Sequence, residues 1–336
     1  MRMRFVQGVP AAQAVSLDAY DRKILFALAQ NCRTAATRIA KQVGLSRDAV
    51  SYRVNRLEKS GVIQGYRTVI DMSKFGYANV HLFLQLNQPT PDAERTLVEK
   101  FKNYDFCRAI LKFNGKYDFE LAIVARDTAD LDKKLTMIIV DCGQSLQHYD
   151  LLFISKSFVG KTFPDNFVKG PATKATQPTQ SFTPDETDVK LLGVIADHGE
   201  MPLHHIGQKL GLSADAAKYR MRRLLAAGVI KGFVPVINYN VIGYNVYAIL
   251  LNIAGLTPER EATLAEFLRT NKDVLWGVKT VGNYNVLLYI CTENPDDLIK
   301  TTTALRSYFT ELVKGYETLI NYEEYKYTYW APVVQG

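Results

Sequence analysis

Over the first sixty residues apolar side chains recur at helical spacing. In "SLDAYDRKILFALAQN" Ile24, Leu25 and Leu28 make one apolar face, and Asp18 stands where an N-cap belongs. "AATRIAKQVG" predicts a second, short helix stopped by Gly44, a residue suited to the left-handed position that ends helices. Ser46 then caps a third helix, whose core stripe is Val50, Val54 and Leu57. Helix, short glycine-containing turn, helix is the helix-turn-helix spacing. After "GVIQGY" the period changes. "ANVHLFLQL" alternates as a strand, "PDAERTLVEKFKN" returns to helical spacing, and "FCRAILKFNGKYDFELAIVA" reads as two strands joined at Asn-Gly. "TADLDKKLTMIIVDCG" is helical and "SLQHYDLLFISKSFV" is a last strand. The order βαββαβ is the ferredoxin-like, split-βαβ arrangement.

The whole pattern then repeats. Shifted by 167 residues, "GLSRDAVSYRVNRL" at 44–57 falls on "GLSADAAKYRMRRL" at 211–224, and "GVIQGY" at 61–66 falls on "GVIKGF" at 228–233. "GKYD" at 115–118 meets "GNYN" at 282–285, and the match needs no insertion over about 130 residues. The expected fold is α+β: two repeats, each a winged-type helix-turn-helix followed by a βαββαβ ferredoxin-like domain. The expected boundaries are an N-terminal extension at 1–15, a first helix-turn-helix at 16–66 and a first ferredoxin-like domain at 67–158. A Pro-, Thr-, Gln- and Lys-rich linker at 159–182 follows, then a second helix-turn-helix at 183–233 and a second ferredoxin-like domain at 234–336.

Charge separates the repeats. The net +7 is unevenly spread: residues 1–70 carry +8, 71–156 carry −1, 181–240 carry +1 and 241–336 carry −3. Localised positive charge points to a polyanion such as nucleic acid. No apolar run approaches the length of a membrane-spanning helix, and the N-terminus lacks the compact apolar core of a signal peptide. The four cysteines are scattered without a CxxC pair, so neither a zinc site nor a disulfide framework is indicated, and no cofactor is expected. A soluble, cytoplasmic protein is expected.

Opposite the apolar stripe of the third helix lie Asp48, Ser51, Tyr52, Asn55, Arg56 and Lys59. Their counterparts are Asp215, Lys218, Tyr219, Arg222, Arg223 and Ala226. Such a face fits the DNA major groove, where Ser, Asn and Arg meet base edges and Arg and Lys meet phosphates. The DNA-contacting candidates are Ser46, Arg47, Ser51, Tyr52, Asn55, Arg56 and Lys59 in the first copy. In the second they are Ser213, Lys218, Tyr219, Arg222 and Arg223. Arg53 and Arg220 sit on the shoulder of the stripe, where pairing with Asp21 and Asp188 would brace the first helix against the third.

Taken together, "LDxxDxxIL", "GLSxxxVxxRVxRL" and the "GxYD" hairpin resemble the Lrp/AsnC family of feast/famine transcriptional regulators over nearly all of both halves. The resemblance implies double-stranded DNA as partner, no enzymatic activity, and an amino acid or related effector bound by the ferredoxin-like domains, known as RAM domains. It places effector contacts at Gly115, Tyr117 and Asp118, and in the second half at Gly282, Tyr284 and Asn285, where an amide replaces the acid. It also implies an intramolecular pseudo-dimer of RAM domains, with exposed sheet faces for further homo-oligomers. The enzymatic alternative is siroheme decarboxylase, which shares this build. His81, Arg108 and His148 are opposite Ala248, Leu275 and Gly315, and the sequence shows no paired acid–base constellation around them.

Overall fold

The computed structural model describes residues 14–168 and 182–335. Most of the expected N-terminal extension and residues 169–181 of the expected linker lie outside them. In the first repeat α1 (Ala19–Gln30), α2 (Ala36–Val43), α3 (Arg47–Lys59) and β1 (Ile63–Ile70) precede β2 (Ala78–Leu86), α4 (Pro91–Lys102), β3 (Cys107–Asn114), β4 (Phe119–Ala125), α5 (Thr128–Cys142) and β5 (Leu146–Gly160). The second repeat follows the same order. It runs α6 (Glu186–Ile195), α7 (Leu203–Leu210), α8 (Ala214–Ala226), β6 (Ile230–Ile237), β7 (Asn245–Ile253), α9 (Pro258–Thr270), β8 (Val274–Val281), β9 (Val286–Thr292), α10 (Pro295–Tyr308) and β10 (Val313–Tyr327). No helix among the described residues is long and apolar enough to cross a membrane.

The elements sort into two units that cut across the repeats. Of the described residues, one unit holds both helix-turn-helix segments, 14–76 and 182–242, with 328–335. Local sequence builds these helices. The Asp18 carboxylate accepts the Asp21 N–H at 2.8 Å while Asp21 answers the Asp18 N–H at 3.2 Å, and Asp185 and Asp188 repeat the capping box. Gly44 (φ 74°) and Gly211 (φ 67°) end α2 and α7 in the left-handed region, which costs glycine little. Val50 and Leu57 are fully buried as the stripe requires, whereas Val54 is only half-buried at its margin. The strand after each helix-turn-helix does not fold back on its own repeat. β1 pairs antiparallel with β6, Thr68 opposite Phe233 and Tyr66 opposite Pro235, so that equivalent residues exchange places as in an isologous dimer. The Cys32 N–H also donates to the Phe233 carbonyl and Arg33 to the Gly199 carbonyl, which joins the first copy to the second.

The other unit, 77–167 with 243–327, is a closed eight-stranded barrel in the order β10-β3-β4-β2-β5-β8-β9-β7. Closure follows from length. β5 and β10 have 15 residues each, against seven to nine in the other barrel strands. Each spends its first half on its own repeat and its second half on the other. Phe153 pairs with Val281 of β8, and its equivalent Ile320 pairs with Asn114 of β3. The sheet therefore keeps no free edge. The sheet faces expected to be open for further pairing are in use. In the second repeat one face packs Ile249, Leu251 and Ile253 under Leu264 and Leu268 of α9 and Leu305 of α10, and the other face is the lumen. Residues 161–168, expected in the linker, are also structured. Phe163 and Phe167 are buried and stacked at 4.2 Å, and the Lys161 and Asp165 N–H groups bond to the Leu275 and Lys272 carbonyls.

The lumen is filled unequally. One layer takes Ala109, Ala122 and His81 from the first repeat, and Trp276, Tyr289 and Ala248 at the equivalent positions of the second. Each large residue has an alanine as its counterpart, so the two repeats fit by complementing one another in size.

Candidate nucleic-acid interface

α3 is fixed against α1 by charge as well as by packing. Asp21, fully buried, receives Arg53 at 2.8 Å and also pairs with Arg56, while Asp18 takes Arg53 at 2.7 Å. In the second copy Arg220 reaches Asp185 and Asp188, both at 2.7 Å. The expected brace is present in both copies. Its hold on Asp185, through the Arg220 hydrogen bond first, keeps that carboxyl below its usual range. At Asp18 burial acts upward but is outweighed by the Asp21 N–H and Arg53. Both folded-state values are depressed, so this contribution to stability is complete above the unfolded carboxylate value, about 3.9, and is lost as pH falls through the folded ones. Calorimetry of the full chain should therefore show the helix-turn-helix transition unchanged from pH 7 to roughly pH 5 and falling below about pH 4. Arg53→Met with Arg220→Met should flatten the fall, and an unaltered fall in that variant would remove the brace as its cause.

These contacts divide the DNA-contacting candidates. The Ser46 and Ser213 hydroxyls accept the Ala49 and Ala216 N–H groups at 3.1 Å, so both are engaged as helix caps. Arg56 is held by Asp21, and Arg223 lies over the Phe182 ring at 4.2 Å and the Tyr219 ring at 5.5 Å. Arg47, Asn55 and Lys59 on α3, and Lys218 and Arg222 on α8, are exposed. Ser51 is half-buried, and Tyr52 and Tyr219 stand out at 69% and 61% exposure. A tyrosine hydroxyl beside exposed cations is a side chain of the kind that contacts a nucleic-acid backbone.

The six effector candidates lie at the hairpins joining β3 to β4 and β8 to β9. A Cβ on Gly282 would come within 2.2 Å of the Leu151 carbonyl oxygen, and one on Gly115 within 2.8 Å of the Leu319 side chain. Both glycines thus let a hairpin press against a long last strand. Tyr117 is fully buried with its hydroxyl donating to Asp150, which also meets His148 at 3.2 Å. Buried Tyr284 receives a hydrogen bond from Lys116 at 2.9 Å. The Asp118 carboxylate, raised by its burial, accepts the Leu86 N–H at 2.6 Å. Asn285 accepts the Ile253 N–H at 2.9 Å and donates to the Ile253 carbonyl at 2.7 Å. Acid and amide therefore pin the same backbone position, the amide with one hydrogen bond more.

Sequence reasoning missed the carboxylates of the lumen. His81 Nδ1 is hydrogen-bonded to Glu120, Glu120 also accepts the Tyr289 hydroxyl, and His148 faces Asp150. The absence of acid–base pairs around the histidines is thereby corrected. The available signal was a single charge inside an otherwise apolar strand, "FELAIVA".

Comparison with known proteins agrees with the helices. The winged helix-turn-helix DNA-binding family matches residues 17–64 and 184–231. The HTH-type transcriptional regulator LrpA of Pyrococcus horikoshii is 36% identical over 115 residues, 34% of this chain and 80% of that protein. The regulator FL11 of Pyrococcus furiosus is 30% identical over 151 residues, 44% of this chain and 96% of its own. Among solved structures, the siroheme decarboxylase NirDL aligns over 93% of this chain and 94% of its own with a TM-score of 0.60. At 10% identity that likeness is one of fold.

Proposed function

This chain belongs to the Lrp/AsnC family of HTH-type transcriptional regulators, and from that premise we propose that it binds one unsymmetrical DNA operator with two unlike recognition helices. The observation that carries the proposal is the pair of exposed faces on α3 and α8, which share Tyr52 and Tyr219 but place Ser51 and Asn55 opposite Lys218 and Arg222. The β1–β6 ribbon and the closed barrel take the part a second subunit plays in a homodimer, so one cytoplasmic chain brings both readers to the DNA. Linking them raises the effective concentration at the second half-site without a new contact. An amino-acid effector at the "GKYD" hairpin belongs to the proposal on the strength of the family alone.

The test is binding of operators selected from genomic DNA, followed by fluorescence anisotropy across a salt series. Affinity should fall steeply with salt. Arg47→Ala should reduce the slope of log K against log salt by about 0.9, the value of one phosphate contact. Tyr52→Ala should weaken binding to every selected site. Binding insensitive to salt, or unaffected by either substitution, would exclude α3 from the DNA.

A further inference from the structure

β10 is followed by a last segment, 328–335, that packs within the helix-turn-helix unit. Thr328, Trp330 and Ala331 are buried, and a short 3-10 turn at Pro332–Gln335 lies on α6. The Trp330 ring meets the Phe75 ring edge-on at 5.6 Å, shortly after β1 of the first copy. Its other contact is with the second copy. A Cβ on Gly193, in α6, would stand 3.6 Å from the Trp330 indole nitrogen and 2.0 Å from the Gln335 amide nitrogen. One tail thus touches both copies.

The sequence makes room for it on one side alone. The residue equivalent to Gly193 is Phe26, half-buried on α1, so the first copy carries a ring of its own where the second has bare backbone. A glycine inside a helix weakens it relative to alanine, and the three atoms nearest to its missing Cβ all belong to the tail. The tail of the first repeat goes elsewhere. Phe163, equivalent to Trp330, is buried in the barrel unit against Phe167. Docking of 328–335 on α6 is therefore particular to the second repeat. It is also held by packing alone at its centre. Trp330 Nε1 is buried with no hydrogen-bond partner among the described residues, so the docked indole forgoes a bond that water would give it, which favours release.

We propose that the tail is a releasable clasp that fixes the spacing at which the two recognition helices read DNA, with Trp330 as its pin and Gly193 as its seat. This role rests on the DNA reading above. The β1–β6 ribbon joins the copies through a single pair of strands, and two-stranded ribbons twist more than broad sheets. Phe75 of one copy and α6 of the other, gripping the same indole, add a second fastening that holds the twist at one value. Linked readers gain avidity only where both half-sites can be engaged together, so a fixed pair tolerates fewer spacings than a loose one.

The test uses the full chain with Gly193→Phe, which gives α6 the residue that α1 carries and fills the seat without removing the tail. Trp276 and Trp330 are the only tryptophans, so in a Trp276→Phe background the emission reports the tail. It should be blue and shielded from acrylamide in that parent, and red and readily quenched once Gly193→Phe is added. Operators selected by the unaltered chain are then lengthened between half-sites by two base pairs, about 70° of helical turn. The affinity of the unaltered chain should fall roughly a hundredfold, and that of Gly193→Phe, or of a chain ending at Tyr327, by less than about tenfold. Equal penalties in the three proteins, or a readily quenched Trp330 in the parent, would overturn the clasp and leave the DNA reading intact. Failure of the unaltered chain to select any operator would overturn both. The chain ending at Tyr327 decides the matter even where Gly193→Phe fails to fold.

Discussion

Asp21→Ala should destabilise the helix-turn-helix unit by about 2–3 kcal/mol, far more than Asp18→Ala, at about 0.5–1 kcal/mol. Both residues belong to the same capping box, and burial separates them. Asp21 is fully buried and collects two arginines and a backbone N–H, whereas the Asp18 side chain is 48% exposed. Removing Asp21 deprives Arg53 and Arg56 of their shared partner and unhooks α1 from α3. The cost stays below that of a wholly buried pair because the Arg56 side chain, 46% exposed, can return to water. Urea denaturation followed by circular dichroism measures both variants, and equal losses would show that the cap, not the ion pairs, carries the energy. The altered protein should also lose affinity for DNA at its first half-site, because Asn55 and Tyr52 depend on the same helix.

Asn55→Arg should change specificity more than affinity. Asn55 and Arg222 occupy equivalent positions on exposed helix faces, and their chemistries favour different bases: a carboxamide matches adenine, a guanidinium guanine. The substitution gives both helices an arginine there. Operators selected by the variant should gain guanine at that position of the first half-site and become more nearly palindromic. Binding to the original operator should drop roughly ten- to a hundredfold, the usual value of one base contact. An unchanged selected sequence would place Asn55 away from the bases.

What the sequence disclosed and what it concealed differ in range. Asp18, Ser46 and Gly44 obey rules that span three or four residues, so the helix ends were legible. The barrel was not, since "SLQHYDLLFISKSFV" announces a long strand without saying that Phe153 leaves its own repeat for Val281. The interface was legible only in part. Periodicity puts Arg56 on the polar face of α3, but only the fold brings Asp21, 35 residues earlier, up to meet it. Glu120 was hidden in the same way, its partners His81 and Tyr289 lying 39 and 169 residues away in the chain. An apolar period marks a strand as buried and says nothing of what its one charge will face.

The unequal lumen also bears on the company this protein keeps. A cell with several related regulators risks mixed assemblies, because their subunits share a fold and strand edges that pair by backbone alone. Here the layer of Trp276, Tyr289 and His81 against three alanines acts as a key. Two first repeats would leave a hole where the indole and phenol belong, and two second repeats would crowd two indoles and two phenols into the room for one of each. Joining the repeats in one chain therefore does more than hold them together. The unequal sizes also disfavour pairing of either repeat with a copy of itself.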